Sequence, residues 1–211
     1  MDKAIIPHNQ DVEIRAYEPT DEVGWVRCRV LSFLDTPYFD NVLQEKEHYE
    51  RPAIELVAVA GGQIVGLLDI ECEIEPGSVC SPHPQCPGPS GMIWHLAVHP
   101  DYRRRGLGAA LLKRAVVEAQ KRGLQRLEAW TRDDPYVQAW YSKQGFRLMY
   151  SYYHVYITEA AEVRRIAHEE LPGIRPVAVF AHYGGDDPAV LKRFKRVHSC
   201  NRYDLVLDNV T

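Results

Sequence analysis

Between Met92 and Arg132 the chain reads MIWHLAVHP, DYRRRGLG, AALLKRAVVEAQKRG and LQRLEAWTR in succession, and no other stretch constrains the fold as much. The first segment is almost continuously apolar, the pattern of a strand covered on both faces. In the third, Leu112, Ala115, Val116 and Ala119 recur at helical spacing until Gly123 stops the run. The fourth is again strand-like. Strand, helix and strand within about 40 residues make a βαβ unit, because a crossover of that length brings the chain back to start a second strand parallel to the first.

The loop opening the helix carries its own chemistry. A helix N-terminus leaves its first backbone N–H groups without intrahelical partners and bears roughly half a positive charge. Gly106 and Gly108 remove side chains where a ligand must approach the backbone, and Arg103, Arg104 and Arg105 add guanidinium groups suited to phosphate oxygens. The expected ligand is a pyrophosphate. A Walker loop (GxxxxGK[ST]) and the dinucleotide fingerprint (GxGxxG) are both absent, which disfavours a nucleoside-triphosphate enzyme.

Around this unit the chain has recognisable parts. DVEIRAYEP alternates like a short strand, and TDEVGWVRCRVLSFL reads as a helix capped by Thr20 or Asp21, with Val23, Val26, Val30, Phe33 and Leu34 as its apolar face. DTPYFDNVLQEKEHYERP is polar and expected to be partly helical, a lid-like segment. AIELVAVAGGQIVGLLDIEC is a hairpin turned by Gly61 and Gly62. Its second arm continues so that Asp69, Glu71, Glu73 and Glu75 share one face. Two readings stay open for those carboxylates: a solvated strand face, or an acidic pocket for a cationic substrate. VCSPHPQCPGPSG is a loop; Cys80, His83 and Cys86, with Cys72 upstream, lack the spacing of a zinc knuckle, and no metal is expected. DDPYVQAWYSKQGF reads as a helix with Asp134 as N-cap, Pro135 at its first position and Gly145 past its end. RLMYSYYHVYI follows as a strand. After Thr158 come a helical EAAEVRRIAHEEL, an apolar GIRPVAVFAHY, a basic amphipathic PAVLKRFKRVH and a strand-like RYDLVL.

Charge narrows the partners. A net charge of −4 and a sequence pI near 6.1 give no basic field for nucleic acid or an anionic membrane. With neither an apolar leader nor a membrane-length apolar run, the expectation is a cytoplasmic protein without membrane contact. Five cysteines form an odd, irregular set and are expected as reduced thiols. One domain over residues 1–211 is expected, with residues from about 159 to 211 as a C-terminal extension packed on the core, and a homodimer through a sheet edge is open.

LAVHPDYRRRGLGAALL resembles the acyl-CoA-binding motif [QR]xxGx[GA] of the GNAT superfamily of N-acetyltransferases, matched by Arg103, Gly106 and Gly108. DDPYVQAWYSKQGF resembles the family's next motif at the correct distance downstream. The resemblance implies a GNAT-type α/β (α+β) fold: a mixed, mostly antiparallel central sheet with a parallel βαβ cofactor unit and helices on both faces. It implies that Leu96, Ala97 and Val98 pair their backbone with the pantetheine arm of acetyl-CoA, and that the amides of Arg104, Arg105, Gly106, Leu107, Gly108 and Ala109 hold the pyrophosphate. Tyr141 falls on the family's helix tyrosine, the general acid for the departing thiolate. Asp134 stands where the family commonly has an asparagine touching the pantetheine; an ionised carboxylate can only accept, which favours its capping role.

The reaction implied is acetyl transfer from acetyl-CoA to a primary amine. An alkyl amine near pKa 10.4 arrives as ammonium, so a proton must leave to a base or to water. His95, Glu71 and Glu73 are the candidate bases, ranked below Tyr141. The acidic strand, with Tyr38, Phe39, Tyr150, Tyr152 and Tyr153, points first to a small cationic amine and second to a peptide amine. A non-catalytic acyl-CoA sensor is the alternative of a different class.

Overall fold

The computed structural model describes residues 11–166 and 176–207. The strands are β1 (Glu13–Ala16), β2 (Ala53–Ala60), β3 (Gln63–Cys72), β4 (Ser90–Val98), β5 (Arg126–Thr131), β6 (Arg147–Ile157), β7 (Val179–Tyr183) and β8 (Arg196–Val206). They form a single sheet in the order β1-β2-β3-β4-β5-β8-β6-β7. Only β4 and β5 are parallel; every other neighbouring pair is antiparallel. The expected mixed sheet with one parallel unit is the one found.

The helices are α1 (Glu22–Phe33), α2 (Leu107–Lys121), α3 (Pro135–Lys143), α4 (Ala160–Ile166) and the single turn α5 (Pro188–Leu191). Leu111, Leu112 and Ala115 of α2 and Tyr141 of α3 pack on Leu68, Ile70, Leu127 and Ala129, making the main core on one face of the sheet. On the other face Trp25 and Cys28 of α1 pack on Val57, Leu67 and Ala97. Complete burial of a leucine such as Leu111 contributes on the order of 1.5–3 kcal/mol, so the parallel pair is held by its cover as much as by its hydrogen bonds. Among the described residues no helix is long and apolar enough to cross a membrane.

Two irregularities at the centre position the site. Pairing between β4 and β5 runs only from Ser90↔Arg126 to Ile93↔Ala129, so from Trp94 onward β4 has no β5 partner and a gap opens. At the same level β4 bulges: Asp69 opposes His95 and Ile70 opposes Ile93, leaving Trp94 as the extra residue. The last strand, β8, lies between β5 and β6 rather than against the outside of the sheet. The edges are therefore β1 and β7.

Several local expectations change. The stripe that α1 buries is Trp25, Cys28, Arg29 and Ser32, whereas Val23 and Leu34 are exposed, because this helix covers a polar layer around His95. Asp21 does not cap α1 through its side chain; its carboxylate takes two hydrogen bonds from Arg15, at 2.6 and 2.8 Å. Residues 34–52 contain turns and extended chain but no helix. The basic stretch from Pro188 to His198 is one helical turn followed by the start of β8, not an amphipathic helix. The tail helix expected over Glu159–Leu171 is described to Ile166; its remainder and residues 1–10 lie outside the described residues.

Candidate active site

The loop before α2 forms a cradle made of backbone. Arg104 and Gly106 both take positive φ, 61° and 81°, and this alternation curls the chain so that successive amides converge. The first amide to find a helical acceptor is that of Ala110, on Gly106 O at 3.0 Å; those of Arg104 through Ala109 have none among the described residues. A Cβ at Gly106 would meet nothing within 4 Å, so the space over the amides is open. Unpartnered amides, open space and a helix start fit a pyrophosphate. The arginine side chains do other things. Arg103 donates to Ser32 O at 2.6 Å and Val98 O at 3.3 Å, tying the end of β4 to α1. Arg105 donates to Asp101 O at 2.8 Å and lies over the Tyr102 ring. Arg104 is exposed. Leu96, Ala97 and Val98 lie in the part of β4 that has no β5 partner.

Helix α3 brings Tyr141 to the same opening. Asp134 caps it, its Oδ1 accepting from the amides of Tyr136 at 2.9 Å and Val137 at 3.2 Å. Trp140 covers Gly108 at the start of α2, and beside it the Tyr141 ring stacks on Tyr203 with centroids 5.6 Å apart. The Tyr141 hydroxyl makes no hydrogen bond within the described chain. Burial, with a smaller effect of the nearby Tyr38 phenol, pushes its pKa up, so it stays protonated. Tyr38 is locked in place: it donates to Thr131 Oγ1 at 3.1 Å and accepts from the Arg132 amide, and burial pushes its pKa up to about 12.

The four carboxylates of the acidic arm do not form a pocket. Asp69 is fully buried 3.1 Å from Lys46 Nζ. Glu71 accepts from Arg51 at 3.1 Å and from the Trp94 indole at 2.9 Å. Glu73 lies past the end of β3, where Oε1 accepts from the amides of Val79 and Cys80 and Oε2 from that of Ser90. It pins the proline-rich loop, and with both oxygens occupied it is not placed to serve as a base. Glu75 is exposed in that loop. All five cysteines are buried and unpaired, and among the described residues no three His, Cys, Asp or Glu side chains converge as metal ligands.

On the α1 face, His95 is buried with both nitrogens engaged. Arg29 Nε lies 3.3 Å from Nδ1, and an arginine only donates, so Nδ1 accepts and the ring proton sits on Nε2. Nε2 then donates to Glu47 Oε2 at 2.7 Å. That hydrogen bond, opposed by partial burial and helped by the positive charges of Arg29 and Lys46, holds the Glu47 carboxyl below its usual range. Glu47 has a side chain 45% exposed, so the group open to a ligand is this carboxylate and not the imidazole. Glu47 sits in a stretch with no periodicity, and only its contact with His95 singles it out. Trp94 and Trp130 also escaped the sequence reading, although each is the first residue past the last β4–β5 pair. Of the aromatics expected near an acceptor, Tyr150 and Tyr152 join Trp130, Phe39 lies under Arg196, and Tyr153 faces Tyr183 on the opposite side.

The chain matches the acetyltransferase (GNAT) family over residues 20–146. It is 30% identical over 127 residues to an acetyltransferase of Pectobacterium atrosepticum, covering 58% of this chain and 78% of that one. An acetyltransferase of Yersinia pestis is 32% identical over the same shares. Among solved structures it resembles the ribosomal-protein-S18-alanine N-acetyltransferase of Escherichia coli, with a TM-score of 0.56 and 16% identity across 95% of this chain and 97% of that one. A GNAT acetyltransferase of Streptococcus pneumoniae gives a TM-score of 0.55 and 17% identity across 94% and 100%. Family match, mixed sheet and open amide cradle agree: the chain belongs to the GNAT family of acetyltransferases.

Proposed function

We propose that the chain transfers the acetyl group of acetyl-CoA to a primary amine. The observation that carries this is the set of unpartnered amides from Arg104 to Ala109, in line with a β4 backbone that has lost its β5 partner and with the free hydroxyl of Tyr141. The cradle amides would hold the pyrophosphate, and Leu96, Ala97 and Val98 would run along the pantetheine. Acetyl-CoA supplies the activated acetyl group. The acceptor enters from the α1 face, where Glu47 takes a proton from the ammonium directly or through water, and the neutral nitrogen attacks the thioester carbon. As the carbon–sulfur bond breaks, Tyr141 gives its retained proton to the thiolate, and the second proton shed by the nitrogen as the amide forms returns to the phenolate through water. Holding both reactants in line across the gap supplies much of the acceleration.

A thiol-release assay with acetyl-CoA against a panel of primary amines tests this reading. Tyr141→Phe is expected to bind acetyl-CoA normally by calorimetry and to lose about 100-fold in kcat. A wild type that does not bind acetyl-CoA sinks the proposal. One that binds it yet acetylates no amine favours a non-catalytic sensor.

A further inference from the structure

We infer that Trp94 and Trp130 form the acceptor gate and that the acceptor is a primary amine carrying an aromatic ring, an inference that rests on the acetyltransfer reading above. The last β4–β5 pair is Ile93↔Ala129, so these two tryptophans stand at the same level on opposite banks of the gap. The β4 bulge turns both Trp94 and His95 toward the α1 face, where their partners Glu71 and Trp25 lie. Trp130 points to that face too, since its neighbours Leu127 and Ala129 occupy the α2 core.

Each indole is fixed by a glutamate. Trp94 Nε1 donates to Glu71 at 2.9 Å and Trp130 Nε1 to Glu128 at 2.7 Å, which orients the rings without burying them. Trp94 is 48% exposed and Tyr150 53%, with Trp130 packed edge-on to Tyr150 and Tyr152. The helix α4 cannot cover them, because Val163 packs on Val155 and Ile157 from the opposite side. Exposed aromatic surface held rigid beside a reaction gap is a binding platform for a ring.

Charge decides against a polyamine. Glu71 is matched by Arg51 at 3.1 Å, and Glu128 by Arg126 at 2.8 Å and Arg202 at 3.3 Å. Glu47 is different: it is half exposed, and its partner is an imidazole whose single ring proton it already accepts. Asp133, also half exposed and paired with an imidazole, meets His198 at 2.8 Å beside Tyr156, at the β6–β8 end of the aromatic run. At the gap itself Glu47 supplies the carboxylate, for one ammonium, beside several rings for one ring.

The test compares tryptamine and phenethylamine with butylamine, putrescine and a short peptide with a free amino terminus, each with acetyl-CoA. Wild-type kcat/KM is expected to favour tryptamine over butylamine by about 30-fold or more, the discrimination a built aromatic site provides. Trp94→Ala is expected to bring that ratio to within about threefold through KM, while Trp94→Phe keeps most of it. Acetyl-CoA affinity, measured by calorimetry, is the check that Trp94→Ala is folded. A wild type that uses butylamine, putrescine or the peptide as well as tryptamine overturns the inference without any variant. Acetyl-CoA bound but no ring amine acetylated also overturns it and leaves the cofactor site standing. Failure to bind acetyl-CoA is the separate result that removes the acetyltransfer reading itself.

Discussion

The two sides of the β4–β5 gap are made of different material. On the α2 side the groups proposed to hold the ligand are unpartnered backbone amides from one run of chain, Arg104 to Ala109, and the neighbouring arginine side chains are largely occupied elsewhere. On the α1 side the groups are side chains, Glu47, Trp94, His95 and Trp130, drawn from three separate stretches and oriented by Arg29, Glu71 and Glu128. A backbone site depends on φ values and on empty space, so it tolerates side-chain change where the chain path is kept. A side-chain site depends on each partner holding the next.

The largest expected effect comes from filling the empty space. Gly106 lies at φ 81° with nothing within 4 Å of its missing Cβ, so Gly106→Glu strains the turn and sets a carboxylate against the pyrophosphate. Acetyl-CoA affinity by calorimetry is expected to fall by about 100-fold or more. A small change there would mean that backbone does not make this side.

A smaller effect is expected on the side-chain bank. Glu47→Gln should lower kcat/KM for the amine about tenfold while leaving acetyl-CoA affinity unchanged. The folded pKa of Glu47 is depressed, so its charge is complete above the ordinary carboxylate range and is lost only as pH falls through that lower folded value. An acidic limb that belongs to Glu47 therefore disappears from the Glu47→Gln rate profile; a limb that stays in place assigns the proton elsewhere.

The smallest effect concerns pH and stability. Burial first, then His182, Arg132 and His198, push His154 down from 6.5 to about 4. Its neighbours also include the Tyr152 hydroxyl, 2.9 Å from Nε2. Because the unfolded chain takes up the proton first, stability is complete above about 6.5 and declines on acidification toward the folded value. The loss at pH 4.5 should be about 1 kcal/mol after allowing for partial exposure, read from urea unfolding, and His154→Gln should flatten it. An unchanged slope in the variant would place this pH sensitivity in the carboxylates.

How much could be read in advance follows the same division. The βαβ unit was legible because periodicity and glycine positions act over a few residues, and the structure pairs Ser90–Ile93 with Arg126–Ala129 as that pattern implies. The cap on α3 was legible for the same reason. The buried stripe of α1 was not, since Arg29 and Ser32 look like surface residues until Asn41 and His95 arrive from elsewhere to bond Arg29. Alternation alone puts Glu73 on a strand face with Asp69 and Glu71, but the strand ends at Cys72 and its carboxylate turns to the loop.

What the sequence determined by itself is the parallel unit, the helix it feeds and the glycine turn at the helix start, because those depend on backbone torsions and on hydrophobic spacing within one segment. Only the tertiary structure decided that β8 enters between β5 and β6, that a bulge turns Trp94 and His95 to one face, and that Glu47 meets His95 at 2.7 Å. Those pairings join residues between 23 (Ile70↔Ile93) and 80 (Arg126↔Val206) positions apart, and the free energy that fixes them comes from burying whole layers together, which no local pattern encodes.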